Sequence, residues 1–348
     1  MAAEPPSLQL TIGIFKDDVQ LTSDLPDQPE RNHPTSTKDF MERVKRGLIG
    51  TCVFSLNGSG YKKFVEIANV LSSLLVNDSQ YTTFKLSVES DRYRVHTVAK
   101  SMNVIRNNSN IKCLELDLHS KLNDDILGKI IDVLGTLDLQ KLKLDMGPNI
   151  FHVDRLVSSL HKNTSLASVS LSWDYILDRY LRRAELMSQL MTFVPTISTN
   201  NYVSQPDLER MSYGLKVGTG VRVLLMGNQS KDDVDILAPA LEVNNTLQSL
   251  RILPMARVWS GELLASSIFK ALKHNTSLIK LETNVSSGDI PSLVDLLSVN
   301  DTLEDLTLQF QYRLPIDIGD VLFPALADSS LIEVRIYDNN YRRVVLPA

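Results

Sequence analysis

The chain has 348 residues, 43% of them hydrophobic and 22% charged, and a net charge of −5. That apolar share supports a sizeable core and excludes a bulk-disordered chain. The acidic balance lacks the basic field of a nucleic-acid binder, and two cysteines, Cys52 and Cys113, exclude a disulfide scaffold or a zinc-finger array.

The N-terminus has no basic n-region, and Gln9, Thr11 and Gly13 interrupt its first apolar stretch, Leu8 to Phe15. That makes a poor signal peptide. Alternation predicts a strand over Leu8 to Ile14. A polar segment with Pro26, Pro29 and Pro34 follows, then a short charged helix from Lys38 to Arg46. Residues 1–50 are read as an N-terminal cap whose polar middle is mobile. No window reaches the ~18 continuous apolar residues of a membrane span. The C-terminus carries no prenylation cysteine and no retention signal. The expectation is a cytoplasmic protein with no membrane partner.

From residue 51 the chain repeats itself. An apolar residue, two variable residues, an apolar residue, one variable residue and another apolar residue recur at Ile111-Lys-Cys-Leu114-Glu-Leu116 and Leu139-Gln-Lys-Leu142-Lys-Leu144. They recur again from Leu166, Leu247, Leu303 and Leu331, with looser copies from Thr51, Tyr81, Val221 and Leu278. Successive starts lie 25 to 31 residues apart, except for one step of 55 between Leu166 and Val221. That double step is read as hiding a degenerate copy near Leu190 to Ile197, where Pro195 spoils the pattern, which gives about eleven units. An inserted binding loop within it is the competing reading.

Between these strands the period becomes helical. Val153, Leu156, Val157 and Leu160 form one stripe, and Val234, Leu237, Ala238 and Leu241 another. Phe64, Ile67, Ala68, Leu71 and Leu75, and Leu264, Ile268, Ala271 and Leu272, repeat it. Pro291 suits a first helical turn. Asn108, Asn163, Asn244, Asn275 and Asn300 stand three residues before a start, with Gly218 and Asp328 in that place elsewhere. Residues of this kind tolerate the left-handed conformation that ends a helix. Ser or Thr often follows two residues on, which creates N-x-S/T glycosylation triplets. Their fixed place in the repeat favours a structural job. Strand, helix, strand with short connections predicts an α/β fold, a parallel sheet with helices on one face.

With its unit of about 28 residues, its L-x-x-L-x-L strand and its N-x-[ST]-L lead-in, the stretch 51–336 resembles the ribonuclease-inhibitor-like leucine-rich repeats. The resemblance implies a solenoid curved into a horseshoe, parallel strands on the concave face and helices on the convex face. Residues 337–348 would cap its end. One departure stands out. The Asn or Cys that the family often places three residues after the last strand leucine is matched only by Asn339, the other copies holding residues such as Ser59, His119, Gly147 and Ser286. Irregular coil geometry after the strands is therefore expected.

No catalytic constellation is present, and the expectation is a non-enzyme without cofactor or metal. Gly58-Ser-Gly60 and Gly218-Thr-Gly220 lack the third glycine of a dinucleotide fingerprint, and no two histidines have zinc spacing. Cys113 lies beside Glu115 and Asp117, an environment that disfavours a thiolate. Binding to a protein partner is the reading that remains. The candidates on the concave face are Lys85, Glu115, Lys143 and Arg251. Those on the loops leaving the strands are Trp173, Tyr175, Arg257, Trp259, Tyr312 and Arg313. The loop set ranks first because aromatic residues and arginine dominate hot spots, although Trp173 and Trp259 could equally pack on neighbouring coils. The resemblance also implies narrower roles: a Ran-type GTPase activator (although its strongly acidic tail is absent), an actin-binding protein, or a ubiquitin-ligase substrate receptor (although no adaptor-binding box is visible in residues 1–50). The partner and the oligomeric state are left open.

Overall fold

The computed structural model describes residues 8–14, 21–22, 51–56, 81–88, 102–103, 105–106, 111–118, 122–147, 152–172, 180–199, 203–218, 220–254, 265–310, 318–337 and 343–344. They belong to two compact units, residues 1–176 and 177–348. Both repeat one strand–helix coil, the architecture of a leucine-rich-repeat solenoid.

In the first unit the strands are β1 (Leu8–Ile14), β2 (Leu21–Thr22), β3 (Thr51–Leu56), β4 (Tyr81–Val88), β5 (Cys113–Asp117), β6 (Lys141–Asp145) and β7 (Ser168–Ser172). Their order is β7-β6-β5-β4-β1-β3-β2. All neighbours are parallel except β2, which runs antiparallel to β3. The repeat leucines set the register: Phe84, Leu114, Leu142 and Val169 lie side by side, and all four are buried. Helices α1 (Asp124–Leu134) and α2 (Val153–His161) turn their apolar stripes inward. The side chain of Asn123 caps α1 by accepting from the Ile126 amide at 3.0 Å, and Asp124 and Asp125 complement its dipole.

The strand expected over Leu8 to Ile14 is present, and its position corrects the expected stacking of the coil at Thr51 on the coil at Tyr81. β1 runs parallel between β3 and β4, with Ile12 opposite both Phe54 and Leu86. Phe54 is therefore aligned through β1 with Leu86, not with Phe84 as the repeat spacing predicts. A two-residue offset keeps every side chain on its own face, so the apolar alternation of β1 accommodates it.

In the second unit the strands are β8 (Thr196–Thr199), β9 (Val223–Gln229), β10 (Ser249–Pro254), β11 (Lys280–Val285), β12 (Asp305–Phe310), β13 (Glu333–Tyr337) and β14 (Arg343–Val344). They follow one another in chain order. Neighbours are parallel up to β13, and β14 pairs antiparallel with Ile336 and Tyr337. Helices α3 (Tyr180–Leu190), α4 (Gln205–Val217), α5 (Lys231–Val243), α6 (Ser266–Leu272), α7 (Ile290–Leu297) and α8 (Ile318–Ala327) alternate with them. The double step thus contains a complete coil, α3 and β8. Pro195 is tolerated at its start because its carbonyl is the group in use, accepting from the amides of Arg222 and Val223. Pro291 lies in the first turn of α7, as its position predicts.

The described lead-in asparagines, Asn163, Asn244, Asn275 and Asn300, act through their side chains, while Asn108 lies outside the described residues. Asn244 is extended, with φ −73° and ψ 131°. Its Nδ2 donates to the Leu215 carbonyl at 2.7 Å, and its Oδ1 accepts from the amides of Thr246 and Leu247 at 3.1 and 2.7 Å. Asn275 donates to Leu241 and Asn244 at 2.7 and 2.8 Å, and Asn300 to Leu272 and Asn275 at 2.8 and 2.9 Å. In the first unit Asn163 donates to Leu134 and accepts from the Leu139 amide. Each of these asparagines so satisfies a carbonyl left over at the end of the preceding coil's helix, and Asn244, Asn275 and Asn300 also hold the amides that lead into their own next strand. Asn163, Asn244 and Asn275 are buried, which accounts for these triplets structurally. Gly218, with φ +79°, holds the place by the left-handed route instead.

The turns after β8, β9 and β11 are built on Ser-x-x-Asp. Ser230 and Asp233 form a capping box at α5, and Ser286 and Asp289 form another. Ser204 donates to Asp207 ahead of α4 at 2.6 Å. Asp289 is fully buried and also accepts from the amides of Ala265 and Ser266 and from the Ser266 hydroxyl at 2.8–3.1 Å, tying two coils together. No described helix is long and apolar enough to cross a membrane.

Candidate protein-binding face

On β5, β6 and β7 the leucine positions are buried and the intervening residues are not. β5 and β7 alternate half-exposed and buried, and β6 alternates exposed and buried up to a half-exposed Asp145. The outward set therefore forms an open face on a parallel sheet. Parallel sheets are usually covered on both faces.

In the first unit the structure brings Lys85, Glu115 and Lys143 together as direct neighbours on β4, β5 and β6. Glu115 lies 3.6 Å from the Lys85 ammonium and 3.7 Å from that of Lys143. One carboxylate between two lysines leaves net positive charge in this row. Cys113, a free thiol, lies on the same face between Thr83 and Lys141. At the ends of the strands Asp145 accepts from the Gly147 amide and from the Ser172 hydroxyl, both at 3.0 Å.

Arg251 belongs to the second unit. Its Nε lies 3.0 Å from Glu282 on β11. Beside it Lys280 donates to Asp305 at 2.6 Å, and Arg335 reaches Glu333 at 2.5 Å and Asp305 at 3.6 Å. The Glu333 carboxylate, hydrogen-bonded to the guanidinium, raises the Arg335 pKa above its ordinary value, with Asp305 adding to the effect. Apart from Arg335–Glu333, which lies within β13, these are cross-strand pairs at the surface, each worth little to stability, but together they hold long side chains in fixed rows.

Sequence reasoning missed two outward residues of β9, Val223 and Leu225. The run Val-Arg-Val-Leu-Leu-Met is too continuously apolar to reveal which residues face out. The six loop candidates, Trp173, Tyr175, Arg257, Trp259, Tyr312 and Arg313, lie outside the described residues. Among the described residues no group of three or more His, Cys, Asp or Glu could hold a metal ion.

No family model matches the sequence, and no curated protein matches it. Among solved structures 38 chains match. One is the leucine-rich repeat-containing protein LegL7 from Legionella pneumophila, with a TM-score of 0.49 and 12% identity over 80% of this chain and 89% of that one.

Proposed function

We propose that this chain is a non-enzymatic scaffold, cytoplasmic, with ribonuclease-inhibitor-like repeats, that binds another protein through the open face of its sheet and the loops leaving the strands. The observation that carries this reading is the uncovered face of a parallel sheet. Lys85, Glu115 and Lys143 keep 30–48% of their side-chain surface accessible, on strands whose spacing of ~4.8 Å is fixed by the backbone ladder. A partner meets these side chains already in rows, so less conformational freedom is lost on binding. The balance of charges speaks against a polyanion.

The test is capture of partners from native lysate by the wild type and by Lys85→Glu/Lys143→Glu, once both are shown to unfold at the same temperature. A partner lost by that variant places binding on the charged row. A partner lost only by Trp259→Ala/Tyr312→Ala/Arg313→Ala places it on the loops. A partner kept by both variants overturns the reading. The captured protein's class, tested by GTP hydrolysis or filament co-sedimentation, decides whether the scaffold serves a GTPase or actin.

A further inference from the structure

Among the described residues, β9 turns two aliphatic side chains outward. The outward positions elsewhere hold residues such as Thr83 and Lys85, Ser168 and Ser170, or Lys280 and Glu282. On β9 they hold Val223 and Leu225, both half-buried, followed by Gly227. The register places Val223 between Thr196 and Ser249, and Leu225 between Ser198 and Arg251. The two apolar side chains thus form a ridge between short hydroxyl residues, with a guanidinium beside the leucine. Arg251 is 44% exposed, and its Nε lies 3.0 Å from Glu282 as an ion pair without donating a hydrogen bond. Its two terminal nitrogens make no ion pair among the described residues, and together they suit a carboxylate.

We propose that this ridge docks an extended segment of a partner protein carrying an aliphatic or aromatic side chain close to an aspartate or glutamate. This rests on the scaffold reading and sharpens it. Outward residues of one strand repeat about every 6.6 Å, the spacing of alternate side chains in an extended peptide. Such a segment can lie along the trough of Ser and Thr and set its apolar residues against Val223 and Leu225. Arg251 then selects for the carboxylate. The backbone of β9 is already paired with β8 and β10, so recognition runs through side chains rather than by adding a strand.

A random-peptide library displayed on phage is panned on the whole chain, with Val223→Ser/Leu225→Ser as the counter-target. Both proteins are first matched in thermal unfolding. The expected peptides pair an apolar residue with an acidic one within two positions, and bind the counter-target on the order of tenfold more weakly or worse. Arg251→Glu/Glu282→Arg keeps the ion pair but reverses it, and is expected to exchange the acidic preference for a basic one. Peptides without acidic residues, peptides held equally by the counter-target, or no enrichment at all would overturn the proposal. The native partner separates this outcome from the broader one. If it is captured by the wild type and equally by the ridge variant, the ridge fails and the scaffold stands; if the wild type captures nothing, the scaffold fails.

Discussion

Strands β10 to β13 follow one another in chain order, whereas β3 and β4 are separated by β1. Both stretches carry the apolar alternation of the repeat. They differ in the residue three places before each repeat start. It is Asn244, Asn275, Asn300 and Asp328 in the orderly stretch, and Leu48 and Asp78 before the coils at Thr51 and Tyr81. Each asparagine donates to carbonyls at the end of the preceding helix, so it specifies which coil comes next. An apolar column alone accepts any strand of matching alternation, and it accepted β1. Hydrophobic periodicity makes the sheet, and the asparagine side chains tie β10, β11 and β12 each to the coil before it.

The largest expected effect is at the ladder. Asn275→Leu leaves the Leu241 carbonyl and the amides of Ser277 and Leu278 without their side-chain partner in a buried site, while the Asn244 carbonyl keeps only the Ser277 hydroxyl, and should destabilise the chain by about 3 kcal/mol in urea unfolding. A loss under about 1 kcal/mol would break the comparison. Next is Asp289→Asn. The carboxylate accepts five hydrogen bonds from two coils, and an amide accepts through one oxygen only. The expected cost is about 2 kcal/mol, with hydrogen exchange speeding up at Ala265, Ser266 and Ser286 before the rest of the unit. Glu115→Gln, by contrast, removes surface pairs and should change stability by less than about 1 kcal/mol, which separates the rows of the open face from the ladder beneath it.

The smallest effect concerns pH. Asp138 accepts from Lys112 and Ser165 on the coils either side of it, and the hydrogen bond from Lys112 leads in lowering its pKa, followed by that from Ser165. A carboxyl depressed on folding contributes stability that is complete above its unfolded pKa and is lost as the pH falls through the folded one. Carboxyl titration by NMR should place the Asp138 midpoint below its value in Lys112→Ala. Equal midpoints would dissolve the link.

The inward columns could be read from the sequence because leucines at fixed steps have a single face to occupy. β8 is readable from the double step as a degenerate copy near Leu190 to Ile197, without a clear strand pattern. Pro195 breaks its lead-in, and Thr199 replaces the apolar residue that stands beside it as Met226 on β9. Asn163, Asn244, Asn275 and Asn300 mark the ends of coils in the sequence, but nothing in a one-letter code separates a left-handed backbone from a side chain reaching to the previous coil. The slot of β1 was not readable, because alternation predicts a strand but not its neighbours. For the site, Lys85, Glu115 and Lys143 were placed on one face by counting alternate residues, but their sharing of one carboxylate needed the register between strands. Val223 and Leu225 were hidden by apolar neighbours on both sides.

The position of β1 also bears on how the chain assembles as it is made. Most coils meet a neighbour finished about 28 residues earlier, so they can add to a growing stack one at a time. β1 emerges first, yet both of its flanking strands are made after it, and its slot is complete only when Val88 has been added. Closing that pairing spans about seventy residues instead of about 28, an added entropy below about 1 kcal/mol but a longer search. The first coils of the solenoid must therefore wait for one another, while the later ones can form in the order of synthesis.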